Sequence, residues 1–119
     1  MYICIMYSSE LIKGTLKTIV LNLLKDNERM YGYEITQKVK DLTQNKIQIT
    51  EGALYPTLHA LEKQGDLTTE KEYIGKRVRK YYRLTDQGIN TMQDRVNELA
   101  DFMKTMRFLL DLDVKPGHA

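Results

Sequence analysis

The chain has little of the material from which enzyme sites and secreted folds are usually built. Of its 119 residues one is cysteine, two are histidine and none is tryptophan. Cys4 has no second thiol to pair with, so no disulfide forms within the chain, whereas small secreted domains are usually held by several. One cysteine with His59 and His118 does not make a zinc-finger ligand set, and no metal site is expected. Ser8 and Ser9 are the only serines, and neither stands in a nucleophile motif. A phosphate-binding loop is missing too, so the sequence predicts no catalytic residue, no cofactor and no enzyme. The longest apolar runs fall far short of the roughly 18–20 residues that span a bilayer, and the N-terminal MYICIMY lacks the basic flank and apolar length of a signal peptide. No membrane contact and a cytoplasmic location are expected. Large net charge is also absent: +2, with a pI near 8.6, is too mild to name a nucleic-acid partner by itself.

What is present is a composition of 42% hydrophobic and 29% charged residues, which excludes a disordered tail. The length fits one domain, or one small domain with an extension, and leaves no room for separate cofactor and substrate domains. Charge is unevenly distributed. Glu70 to Leu84 carries a net +4, more than the whole chain's surplus, while Asp86 to Asp113 carries −3. A charge run is often only a solvated face, so the positive segment matters only if the fold presents it outward.

Ser9 precedes Ile12, Leu16, Ile19, Val20, Leu23 and Leu24, whose three- and four-residue spacing predicts an amphipathic first helix from about Glu10 to Lys25. Asp26, Asn27 and Glu28 break it. A second helix follows, with Tyr31, Gly32 and Tyr33 at its start, Ile35, Val39 and Leu42 on its apolar side, and an end near Thr43. Thr50 and Glu51 open a third helix, whose Leu54, Leu58 and Leu61 face the core and whose Gly65 suits a C-terminal cap. LTTEKEY and VRKYYRL, separated by IGKR, read as a β-hairpin. Period two sets Val78, Tyr82 and Leu84 on one face and Arg79, Tyr81 and Arg83 on the other, so one row of basic groups must point away from the core. A long last helix runs from Thr85 to about Leu112, and Pro116-Gly117 marks a loose tail.

Three helices, a basic hairpin and a final helix form the order of a winged helix-turn-helix, in a mainly α fold with a small β-hairpin. The expected divisions are an N-terminal extension over 1–9, the winged helix-turn-helix over 10–84, a C-terminal dimerisation helix over 85–112 and a flexible tail over 113–119. In such a fold the third helix enters the DNA major groove and the hairpin, or wing, lies along phosphates or a minor groove. Opposite the core line of helix three falls the stripe Gly52, Pro56, His59 and Lys63, flanked by Tyr55 and Ala60, small enough at its start to let the helix approach base edges. The candidate DNA-binding residues are therefore Thr50, Glu51, Gly52, Tyr55, Pro56, His59 and Lys63, with Tyr33 beside them and Lys76, Arg77, Arg79 and Lys80 on the wing. Plainer readings stand beside these: Pro56 only bends the helix, His59 is only solvated, and Tyr33 and Tyr55 are half-buried aromatics whose hydroxyls meet water.

LIKGTLKTIVLNLL, YGYEI, TEGALYPTLHALEKQG and RKYYRLTDQG stand in the order and near the spacing of a known DNA-binding domain, and over Leu11 to Gly88 the chain resembles the PadR-like transcriptional regulators. The resemblance implies a dimeric DNA-binding repressor, often released by a small effector. It places the family's DNA-contacting tyrosines and basic wing on Tyr33, Tyr55, Arg79 and Lys80. The short C-terminal part resembles the compact subgroup with a single dimerisation helix, and the absence of tryptophan removes the indole platform that some compact relatives offer to flat aromatic drugs.

Ile89, Met92, Val96, Leu99, Met103, Met106 and Leu110 step alternately by three and four, a heptad seam that Phe102 and Leu109 widen. A helix from Thr85 to Leu112 would be about 40 Å long at 1.5 Å per residue, against about 30 Å for the remaining body, so its far end overhangs. Two occupants fit the seam: a second copy, which makes Val96, Leu99, Phe102, Met103, Met106 and Leu110 a dimer interface, or helix one of the same chain. The methionines are either adaptable core packing or the lining of an interface pocket for a small hydrophobic effector, with Phe102 and Phe108 near it. The function expected is a homodimeric, sequence-specific regulator of double-stranded DNA, probing a palindromic operator as a repressor. The alternative is a winged-helix interaction module whose wing binds an acidic protein surface.

Overall fold

A computed structural model describes residues 7–112; the segment before Tyr7, with Cys4, and the tail expected over 113–119 lie outside the described residues. The element order is α1 (Ser9–Lys25), β1 (Met30–Tyr31), α2 (Gly32–Leu42), α3 (Glu51–Lys63), β2 (Leu67–Ile74), β3 (Arg77–Leu84) and α4 (Asp86–Leu109). Hydroxyl side chains start three of the four helices. Ser8 accepts from the Leu11 amide, Thr50 from Ala53 and Thr85 from Gly88, each satisfying a first-turn donor that no helical carbonyl reaches. Helix one thus begins a residue earlier than its sequence signal suggests, with Ser8 and not Ser9 as its cap.

The core is built where the apolar spacing places it. Leu16, Val20, Leu21 and Leu24 of α1, Ile35 and Val39 of α2, and Leu54, Leu58 and Leu61 of α3 are buried with Leu67, Tyr82 and Met92. Two expected core residues are not there. Leu42, in the last turn of α2, is 66% exposed, and Val78 lies on the face of Tyr82 but toward the tip of the wing, where it is 52% exposed.

The expected two-stranded wing is part of a three-stranded antiparallel sheet in the order β1-β3-β2. β1 pairs Met30 with Tyr82 and Tyr31 with Tyr81, which ties the entrance of α2 to the wing. Gly75, at φ +62°, takes the left-handed position that the two-residue turn between β2 and β3 demands. α3 closes with Gly65 at φ +90°, and the amides of Gly65 and Asp66 donate to the carbonyls of Glu62 and Leu61, the Schellman arrangement that its glycine suggested. α4 stops at Leu109, short of the expected Leu112, as Asp111 turns left-handed at φ +54°. Its first half packs on α1, with Met92 buried and Val96 partly buried. Beyond that, Phe102, Met103, Phe108, Leu109 and Leu110 are exposed, while Leu99 and Met106 are half-buried. No helix among the described residues is long and apolar enough to cross a membrane.

Candidate nucleic-acid interface

α3 forms an exposed ridge between two recesses. On its wing side lies a cleft of about 430 Å³ lined by Tyr31, Gly32 and Tyr33 at the start of α2, Tyr55 and His59 of α3, and Ile74, Arg77, Val78, Arg79, Lys80 and Tyr82 of the wing. Six candidate residues, Tyr33, Tyr55, His59, Arg77, Arg79 and Lys80, therefore converge from three separate stretches of chain. Tyr33 is 60% exposed and free to reach outward. Tyr55 packs so closely on the first residue of α2 that a Cβ at Gly32 would come within 2.6 Å of its hydroxyl oxygen, and its ring lies 6.4 Å from that of His59. The glycine is thus what lets the tyrosine lie across the helix entrance.

On the other side of α3, Thr50, Gly52 and Pro56 line an apolar groove of about 780 Å³ shared with Ser9, Lys13 and Leu16 of α1. Gly52 and Pro56 are exposed, and a Cβ added at Gly52 would meet no atom within 4 Å. Pro56 has no amide hydrogen, so the usual donor to the Gly52 carbonyl is missing, although α3 runs through it as one helix. Glu51 is exposed at the start of α3, Lys63 at its far end and Lys76 in the turn of the wing. These three lie outside both recesses.

The wing's positive charge is more constrained than its composition implies. Arg83 bridges to Glu70 at 2.8 Å and Glu28 at 3.3 Å, and Arg29 to Glu72 at 2.6 Å and Glu70 at 3.3 Å. Arg29 also lies 3.9 Å over the ring of Tyr81, and Arg79 lies 4.1 Å over Tyr31, whose ring meets Tyr81 edge-on at 5.5 Å. On the opposite face Lys80 reaches Glu62 of α3 at 3.4 Å, and Glu62 also accepts from the Thr69 hydroxyl at 3.0 Å. Burial pulls the Lys80 pKa down, but Tyr82 and Glu62 together hold it above the ordinary lysine value, so the ammonium stays charged in the cleft. Sequence reasoning missed Arg29, Tyr31 and Glu62 as residues that set the wing's shape; a two-residue strand leaves no periodic trace, and the ion pairs join distant segments.

The Arg83 guanidinium, opposed by some desolvation and aided by Arg29, holds the Glu70 carboxyl below the ordinary glutamate range. A carboxyl depressed in the folded state stabilises it above the unfolded pKa, near 4.5, and that contribution is lost as pH falls through the lower folded value. The melting temperature should therefore fall as the solution is acidified below about pH 5, and Glu70→Gln should flatten that fall, as thermal melts across an acid series would show.

The model of the transcriptional regulator PadR-like family matches residues 20–94. The fold superposes with a TM-score of 0.75 on a transcriptional regulator from Clostridium thermocellum that is 30% identical, covering 90% of this chain and 100% of that one. A PadR family transcriptional regulator from Eggerthella lenta gives 0.71 at 35% identity, over 85% of this chain and 82% of that one. A transcriptional regulator of Mycobacterium tuberculosis is 34% identical over 79 residues, 66% of this chain and 70% of that protein. With a family match over most of the chain and a fold that superposes on these two solved regulators, the chain belongs to the PadR-like family of transcriptional regulators and is a DNA-binding regulator, not an enzyme.

Proposed function

We propose that the protein is a cytoplasmic homodimeric repressor that reads a palindromic double-stranded operator with α3 and holds its phosphates with the wing. Residues 10–84 form the DNA-binding unit and residues 85–112 the dimerisation helix. The observation that carries the reading is the cleft in which Tyr33, Tyr55 and His59 meet Arg77, Arg79 and Lys80 beside a ridge, Gly52 and Pro56, with nothing bulky upon it. Hydroxyls and cations on that flank suit phosphate oxygens, while the smooth ridge suits base edges, the usual division between positioning and reading. Lys63 and Lys76, exposed at either end, extend the phosphate track, with Thr50 and Glu51 at the helix start. Two copies joined along Val96, Leu99, Phe102, Met103, Met106 and Leu110 present two such ridges by two-fold symmetry. The exposed Phe102, Met103 and Phe108 support an apolar space between the paired helices, where a small hydrophobic effector relieves repression.

Selection of bound duplexes from a random pool tests this directly. A recovered palindrome is the expected result; no enrichment, with capture of an acidic protein surface instead, would replace the reading with that of an interaction module. The wing's share is separable by salt. Arg77→Ala and Arg79→Ala should each lower the slope of log affinity against log salt by about 1.8, one phosphate contact from each protomer, while leaving the preferred sequence unchanged. An unaltered slope would mean that Arg77 and Arg79 only decorate a solvated edge.

A further inference from the structure

Asp66 is the one buried charged side chain among the described residues, only 3% exposed, and its surroundings join two parts of the molecule that do different work. Its amide donates to Leu61 at 2.9 Å, so its backbone is fixed by α3. Its carboxylate Oδ1 accepts from Gln87 Nε2 at 3.0 Å and from the Thr91 hydroxyl at 2.7 Å, both on α4. The carbonyls around it are turned the same way: Gln64 accepts from Gln87, Gly65 from the Thr85 hydroxyl and Asp66 itself from the Thr85 amide. Gly88 completes the joint, because a Cβ there would run into the Asp66 carbonyl.

Closing α3 does not require this carboxylate. The Schellman turn at Gly65 already satisfies the helix end, and both carboxylate bonds run only to α4. Burying a carboxylate is costly unless its bonds compensate, so a group kept here must be held by what it does for α4. The main packing of α4 on the body, with Met92 in the core and Val96 against it beside α1 and a smaller contact with β3, is apolar and non-directional, and it presses the helix to the body without fixing its tilt. Directional bonds at the joint supply the angle.

We propose that Asp66 is the positioning residue that sets the spacing of the two half-sites, an inference that rests on the homodimer proposed above. From the joint at Gly88 to Met103 in the seam α4 runs about 22 Å at 1.5 Å per residue, so a tilt of about 5° at the joint in each protomer displaces the two DNA-binding units relative to one another by up to about 4 Å. One base pair is about 3.4 Å along the axis, so a small change at Asp66 shifts the register by nearly one step. The joint therefore selects spacer length while α3 selects sequence.

The test uses the full chain and duplexes carrying the selected half-sites with the centre lengthened or shortened by one or two base pairs. The wild-type dimer should prefer its own spacing by about tenfold over either neighbour, since adjacent spacings demand twisting or stretching of the duplex. Asp66→Ala and the isosteric Thr91→Val, checked as helical by circular dichroism and dimeric by sedimentation, should bind neighbouring spacings within about threefold of the best one, with an unchanged salt slope. A folded, dimeric variant that keeps the full tenfold preference overturns the inference, and Thr91→Val decides alone if Asp66→Ala does not fold. A monomeric wild type, or one that selects no paired half-sites, overturns the homodimer and this inference together, and is seen before any variant is made.

Discussion

Replacing Leu99 and Met106 together by aspartate should give a folded monomer that no longer binds a palindromic duplex tightly. The first half of α4 rests on α1 through Met92 and Val96, and neither substitution touches that contact. Leu99 and Met106 are only half-buried in the single chain, so aspartates there can reach water and the protomer should keep its helical spectrum. In a seam between two chains the same carboxylates lose that water and find no counter-ion. Four such groups per dimer, each costing even about 1.5 kcal/mol, weaken association by roughly 10⁴-fold. Two half-sites reinforce one another only while the chains are joined, so tight operator binding should vanish with the dimer. Sedimentation at micromolar concentration, with binding measured on the same samples, checks both. A variant that remains dimeric would place the contact away from the seam.

The helices were legible because each is long enough for its spacing to repeat. Leu54, Leu58 and Leu61 define the buried side of α3, and Ser and Thr mark the entrances of α1, α3 and α4. β1 was not legible, since Met30 and Tyr31 become a strand only by pairing with β3, a partner some fifty residues on. The site was legible as a set of residues but not as an electrostatic surface. Counting charge from Glu70 to Leu84 gave a net +4 and left open how much of it faces outward, and the antiparallel register and the loop before β1 bring Glu70, Glu72 and Glu28 against Arg29 and Arg83. Local counting cannot see an ion pair between residues 55 apart, such as Glu28 and Arg83. Gly88 and Asp66 are the same case in the backbone: nothing local explains the glycine until the carbonyl beside it is known.

Gly52→Leu should abolish preference for the operator while leaving the fold intact and general duplex affinity largely preserved. Gly52 is the second residue of α3, exposed, with no atom within 4 Å of where a Cβ would stand, and leucine favours a helix over glycine by up to about 1 kcal/mol. Stability should hold or rise slightly, so any lost binding belongs to docking. Its exposed neighbours toward the C-terminus on the ridge, Ala53 and Pro56, are small, and a leucine at Gly52 would hold the helix axis away from the base edges. Base contacts are worth about 1–3 kcal/mol each, so losing even one at each half-site costs at least tens-fold in selectivity. The wing is untouched, so binding to random duplexes should keep its salt slope. This is the reverse of the pattern expected for Arg77→Ala and Arg79→Ala, which should alter the slope and spare the preference. The ratio of operator to random-duplex affinity, measured at one salt concentration for wild type and variant, reads the effect. A retained ratio would move sequence reading off the Gly52 end of the ridge and onto the flank formed by Tyr55 and His59.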